Sequence, residues 1–250
     1  MKPISIQLYT VRDAAAQDFP GTLKKIAEIG YKGVEFAGLH GHKPSEIAML
    51  VQDLGLQVSS SHTALPTKEN LTELLDVELA LGNKRVISGF GPDRFTSVDA
   101  CKKAAEEFNT ACELVKPYGL TYGMHNHWAE FASVDGKRVY DILMEEAPEM
   151  FSELDVYWAA YGKSDPVQVI NEYKSRMPIL HIKDGTLKEN APHLAVGDGV
   201  LDILAIIGAA DPNVLDWLIV ELDSFDGDML DAVKKSYDYL TSSGLAEGNK

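Results

Sequence analysis

From the N-terminus onward the chain repeats one pattern: a short β-rich run, then a longer segment with apolar residues three and four apart, renewed roughly every thirty residues. The extended runs are Ser5 to Tyr9, Gly33 to Phe36, Gln57 to Ser61, Arg85 to Ser88, Leu120 to Met124, Phe151 to Leu154, Ile179 to Ile182 and Leu218 to Leu222, eight in all. Alternating strand and helix require a parallel sheet with right-handed crossovers. Eight such units close a barrel. An open doubly wound sheet would usually carry a Gly-rich phosphate loop after its first strand. Here that position reads Gln7-Leu8-Tyr9-Thr10-Val11-Arg12, without a glycine. The expected fold is α/β, a (β/α)8 TIM barrel occupying residues 1–250 as one domain.

The helical segments support that periodicity. Val98, Cys101, Ala105, Phe108, Cys112 and Val115 share a face opened by Ser97 as N-cap, with Asp99 in the first turn. Leu23, Ile26 and Ala27 run to Gly30, and Val167, Val169, Ile170 and Tyr173 follow Asp165-Pro166. Cys101 and Cys112 fall in one helix, roughly 16 Å apart at ~1.5 Å rise per residue and beyond the ~7 Å that a disulfide spans. They are expected to be buried free thiols.

Composition narrows the partners. A formal net charge of −15 opposes a phosphate-binding surface, so nucleic acid is not expected as a partner. The N-terminus lacks the apolar core of a signal peptide, and no run reaches the length of a membrane span. A cytoplasmic protein without a membrane partner, acting on a small molecule, is the expectation. A homo-oligomer is compatible with the sequence, which does not fix a stoichiometry.

Polar side chains collect at one end of the runs. Gln7 and Tyr9 close the first, Glu35 the second, His62 the third, His125 and His127 the fifth, Asp155 the sixth, His181, Lys183 and Asp184 the seventh, Glu221 and Asp223 the eighth. In a TIM barrel these C-terminal ends converge on one mouth, where active sites are built. The densest stretch is Met124-His125-Asn126-His127-Trp128-Ala129-Glu130-Phe131. If its strand runs on, alternation puts His125 and His127 on one face and Asn126 on the other. Carboxylates and a neutral imidazole make a hard mixed site suited to Mn, Co, Mg or Zn. Without a cation Asp155 and Glu221 would repel each other, and a metal resolves that conflict.

Asp155-Val156-Tyr157-Trp158, His181-Ile182-Lys183-Asp184, Gly197-Asp198-Gly199-Val200-Leu201-Asp202 and Val220-Glu221-Leu222-Asp223, preceded by His125-Asn126-His127, resemble the sugar phosphate isomerase/epimerase family with the xylose isomerase-like TIM barrel. The resemblance spans essentially the whole chain. Its motifs are specific to the superfamily, which includes ketose 3-epimerases, hydroxypyruvate isomerase, inosose dehydratase, lyases of 3-keto-glycosides and endonuclease IV. It implies one divalent metal held by a carboxylate near the fifth strand, an aspartate from the sixth, a histidine from the seventh and a glutamate from the eighth. Carried over, these are Asp155, His181 and Glu221, with Glu130 as the fourth ligand and His127 in proton transfer. His125 takes the position of the epimerases' fifth-strand glutamate, so His125 and His127 stand as alternative ligands.

The resemblance implies proton abstraction next to a carbonyl with a metal-stabilised enediolate, and the few cations in the expected mouth loops favour an unphosphorylated polyol or keto-sugar. His127 or His125 would be the base and Lys183 would polarise the carbonyl. Proton return to the neighbouring carbon or opposite face gives an isomerase or epimerase. Loss of a β-substituent gives a dehydratase or lyase of keto-sugars or keto-glycosides. Gln7, Glu35, His62, Asn126, Trp158, Asp184 and Asp223 are the expected substrate contacts, Trp128, Phe131 and Tyr157 are stacking candidates, and His42 and His193 are expected at the surface. Arg12, Arg94, Lys163 and Lys188 are the loose phosphate candidates. An endonuclease would need a basic groove that the chain lacks, and a non-catalytic sugar-binding barrel would have broken ligands.

Overall fold

Eight parallel strands close on themselves in the computed structural model, which describes residues 1–250. They are β1 (Lys2–Gln7), β2 (Gly33–Phe36), β3 (Gln57–His62), β4 (Arg85–Ser88), β5 (Thr121–His125), β6 (Phe151–Asp155), β7 (Ile179–Ile182) and β8 (Trp217–Val220). Each pairs with the next, and β1 completes the ring against β8 with Ile4 opposite Leu218 and Ile6 opposite Val220. Helices cover the outside, which is why the strands are apolar on both faces. The expected barrel and its eight runs are present, with ends moved by a few residues.

Those ends matter for the mouth. The first run was expected to reach Tyr9, but the Gln7 side chain accepts the Tyr9 amide and turns Leu8–Val11 into a 3-10 helix. The last strand stops at Val220, leaving Glu221 and Asp223 just above the rim. Three strands end one residue later than expected and carry His62, His125 and Asp155 into regular structure.

Ser97 caps the helix Val98–Val115 by accepting the Ala100 amide, and Asp165 caps Pro166–Tyr173 through the Val167 amide. Cys101 and Cys112 are buried free thiols. No helix is long and apolar enough to cross a membrane.

Two apolar layers hold the barrel. The larger lies between strands and helices, while Ile87, Phe151, Ile179, Trp217 and Ile219 form a smaller cluster. Phe151, Ile179 and Ile219 sit two positions before Glu153, His181 and Glu221, so alternation puts them on the same inward face, one layer below the polar mouth. Large rings fit there because facing strands carry glycine. A Cβ at Gly33 would lie 2.7 Å from Trp217, and one at Gly123 would fall within the Phe151 ring.

Gly123→Ala is therefore expected to cost about 1–3 kcal/mol of overpacking, read as a lower urea midpoint. Combining it with Phe151→Leu should recover part of that loss. Equal stability of Gly123→Ala and wild type would show that the floor is loosely packed.

Candidate functional site

His181, wholly buried at the end of β7, is the hub of the barrel mouth. Its Nε2 lies 2.7 Å from Glu35 Oε1 and 3.2 Å from Glu153 Oε1, and its Nδ1 lies 2.9 Å from Glu221 Oε2. His62 Nε2 is 2.6 Å from Glu153 Oε2 and 3.3 Å from Glu35 Oε1. His125 Nδ1 is 3.3 Å from Glu153 Oε2. The His62 and His181 rings stack at 5.4 Å. Parallel register produces this meeting, since Glu153 and Asp155 on β6 face Ile179 and His181 on β7.

A second group lies beside the first. The buried Lys183 Nζ is 2.9 Å from Asp155 Oδ2, 2.8 Å from Glu221 Oε2 and 2.7 Å from Asp223 Oδ2. The Trp158 ring stands over it, 5.4 Å from Nζ to the ring centre. Sequence reasoning left the repulsion between Asp155 and Glu221 to a metal, but the structure puts an ammonium between them. Two residues along a strand return a side chain to the same face, so Lys183 points inward with His181.

Charge is distributed unevenly across the cluster. Burial, reinforced by Glu153, pushes the Glu35 carboxyl up to about 7. Burial also disfavours ionised Glu153 and Glu221, but His181 with His62 for the former, and Lys183 with His181 for the latter, hold both well below the usual range. Asp155 rises to about 6 because burial outweighs Lys183. Burial lowers His125 to about 3, leaving a neutral imidazole, whereas Glu35 and Glu153 overcome burial and raise His62.

The donors suit a hard divalent ion. Ligand atoms of His125, Asp155, His181 and Glu221 lie within 4.8 Å of one another, as do those of His62, His125, Glu153 and His181. His125 Nδ1, Glu153 Oε1 and Asp155 Oδ2 make no hydrogen bond, only charge contacts with Glu153 at 3.3 Å, His181 at 3.2 Å and Lys183 at 2.9 Å respectively, and Glu130 Oε1 is likewise buried without a hydrogen-bond partner. Orphaned buried acceptors are costly, and a metal would satisfy the first three. The cluster could hold a metal ion.

Several expected site residues do other work. Glu130 belongs to neither four-residue group: its Oε2 accepts the His127 amide at 3.0 Å, folding the loop after β5. Asn126 accepts the Asp155 amide at 3.0 Å and donates to the Asp155 carbonyl at 3.3 Å, so it ties β5 to β6 instead of facing substrate. Asp184 turns away from the mouth and accepts the amides of Gly185, Gly197, Gly199 and Leu201. A Cβ at Gly199 would collide with that carboxylate, which accounts for Gly197-Asp198-Gly199. Gln7 donates to Glu35 Oε1 at 2.6 Å and is fully buried, so it orients Glu35.

Others lie at the opening. β5 ends at His125, so His127 leaves the strand alternation and stands exposed in the loop, its ring 5.1 Å from that of His125. Desolvation by the surrounding walls, then Lys183, lowers its basicity. His62, Trp158 and Asp223 line an open cavity of about 640 Å³ with His125 and His127.

His193, expected at the surface, is buried, because the hairpin of Asp184–Gly185 with His193–Leu194 folds it inward to accept the Asp223 amide at 3.0 Å. Glu153 escaped selection as a site residue, although a carboxylate in a buried run, two positions before Asp155, signals the same inward face. Arg12 donates to the Asp223 carbonyl, Arg94 pairs with Glu107, and Lys163 stands near the Tyr161 ring.

The chain belongs to the xylose isomerase-like TIM barrel family, whose model matches residues 23–243. It is similar to a sugar phosphate isomerase/epimerase from Parabacteroides distasonis, with 28% identity, 98% of this chain and 96% of that one covered, and a TM-score of 0.83. An L-ribulose 3-epimerase shares the fold at 19% identity, 98% and 95% coverage, and a TM-score of 0.75. So does the IOLI protein with a bound zinc atom, at 14% identity, 98% coverage of both chains and a TM-score of 0.78. No curated protein matches this chain in sequence.

The raised Glu35 carboxyl makes a pH prediction for chelator-treated protein. The folded state binds the Glu35 proton more tightly than the unfolded state, so its stabilisation is present below the ordinary value of 4.5 and lost as pH rises through about 7. Urea unfolding between about pH 4 and pH 8 should show a decline in wild type that Glu35→Gln lacks. Parallel curves would mean that Glu35 ionises normally.

Proposed function

We propose that the chain is a divalent-metal-dependent sugar isomerase or epimerase that moves a proton next to a carbonyl. The observation that carries this reading is the buried cluster of imidazoles and carboxylates opening on the 640 Å³ cavity, with Lys183 at its edge. His125, Asp155, His181 and Glu221 would hold the metal, His125 taking the place first given to Glu130. When bound, such an ion, of the Mn, Co, Mg or Zn type, supplies Lewis-acid stabilisation of negative charge on substrate oxygens.

The remaining steps belong to the protein. His127 stands at the opening with its imidazole kept neutral and takes the proton from carbon. His62 lies on the other side of His125, ring centres 5.0 Å apart, and is held in its charged form by Glu35 and Glu153. Two imidazoles whose surroundings push their basicity apart form a base and an acid. His62 would therefore return the proton. Lys183, expected to polarise the carbonyl, is instead fully buried with its three N–H donors on Asp155, Glu221 and Asp223, so its part is to hold those carboxylates in place. Gln7 and Ser60 fix the two oxygens of Glu35, and through Glu35 the angle of His62 and His181. Arg12 and Arg94 are engaged elsewhere, which leaves the single ammoniums of Lys163 and Lys188 among the phosphate candidates and favours an unphosphorylated sugar.

Keto-sugars incubated with metal-loaded enzyme in D2O should exchange the hydrogen next to the carbonyl. His127→Ala should slow that exchange by about 10²–10⁴-fold while the metal stays bound. A variant as fast as wild type would remove His127 from the chemistry. No exchange from any keto-sugar would contradict the reaction class.

A further inference from the structure

His193 is a buried histidine that the proposed chemistry does not use. It is 3% exposed, although it stands on the two-residue strand His193–Leu194 outside the barrel wall. Pairing with Gly185 holds its backbone, and its amide donates to the Ser224 carbonyl at 3.2 Å. The rings of Tyr157 and Trp158 meet it edge to face, with ring centres at 4.7 and 5.6 Å.

An imidazole has two polar atoms, and here one is already spoken for. Nδ1 accepts the Asp223 amide at 3.0 Å, and a ring nitrogen that accepts carries no hydrogen. In the neutral ring the proton is therefore on Nε2. Burial, then Lys183, pushes the basicity of this ring down to about 4, which keeps it neutral. Nε2 makes no hydrogen bond within the chain, and His193 lines a cavity of about 420 Å³ at the mouth. The Nε2–H donor is the polar group that His193 has left for that cavity.

Asp223 lines the same cavity and also the larger one that contains His62, His125 and His127. Its Oδ2 accepts from Lys183 at 2.7 Å, which leaves Oδ1 as a second acceptor. A neutral N–H donor beside a carboxylate oxygen matches a hydroxyl, which accepts from the one and donates to the other. A phosphate or carboxylate would instead meet Asp223 and Glu189 with only Lys188 to offset them.

We infer that His193 is a specificity-determining residue: its Nε2–H, with Asp223 Oδ1, takes a hydroxyl at the end of the sugar away from the carbonyl. This rests on the reading of the mouth as a sugar site and deepens it. Asp223 shares Lys183 with Asp155 and Glu221, so a sugar that reaches past Asp223 from the carboxylate cluster comes to His193.

Nitrogen-15 NMR of zinc-loaded protein at about pH 7 should show His193 as the neutral Nε2–H tautomer. A proton on Nδ1 would overturn the assignment. Calorimetric titration with the D-2-ketohexoses and their 6-deoxy counterparts then compares wild type with His193→Asn and His193→Ala. The Asn amide oxygen can stand where Nδ1 stands and keep the Asp223 amide, but it leaves no donor in place of Nε2. In wild type at least one ketohexose is expected to bind about tenfold more tightly than its 6-deoxy form. Both variants should lose that ratio, and His193→Asn should bind the 6-deoxy sugar as wild type does. Three results would overturn the inference: an equal loss for both sugars, which is a structural effect; discrimination that survives in His193→Asn; or no ketohexose told from its 6-deoxy form. Binding is read without turnover. Discrimination without isotope exchange in D2O would therefore count against the isomerase reading alone, and exchange without discrimination against His193 alone.

Discussion

The mouth of this barrel depends on Lys183. Glu35, Glu153, Asp155, Glu221 and Asp223 converge in a space largely closed to water, where like charges repel strongly and isolated carboxylates are costly to ionise. The Lys183 ammonium touches three of them, and His181 bridges to Glu35, Glu153 and Glu221. Removing one partner of a buried ion pair typically costs about 3–5 kcal/mol, because the other charge is left behind. The acids therefore stay together because a cation and an imidazole sit among them.

A second set of polar residues holds this group in place. Asn126 locks the backbone of β5 to Asp155, Glu130 folds the loop carrying His127, Asp184 gathers four amides beneath the hairpin that carries His193, and His193 with Arg12 pins the segment holding Asp223. Each is a polar side chain spent on backbone groups that the strands no longer satisfy once they end. The result is a mouth whose irregular segments are fixed by hydrogen bonds as firmly as its strands are.

Much of this was legible in the sequence. The barrel followed from the strand and helix periods, and the convergence of His181, Asp155 and Glu221 followed from strand alternation at the C-terminal ends. Beyond the last regular residue alternation stops carrying information. His127, two residues past β5, therefore stands exposed in the loop, although its ring still meets that of His125 over the same cavity, and Glu130 and Asp184 point to backbone amides whose positions no spacing reveals. Glu153 was overlooked for the opposite reason: it lies inside the strand, one layer deeper, where an apolar residue was the natural expectation. Lys183 was read by its chemistry and not by its place, since the ion pairs that bury it join three separate segments of chain.

Metal analysis by mass spectrometry tests the central claim most directly, on protein dialysed with and without added Mn, wild type beside His181→Ala, Glu221→Ala and Glu130→Gln. The site described here predicts about one divalent metal per chain in wild type and in Glu130→Gln, and its loss from the other two. Metal-free wild type under both conditions, or metal retained in His181→Ala and lost in Glu130→Gln, would contradict it.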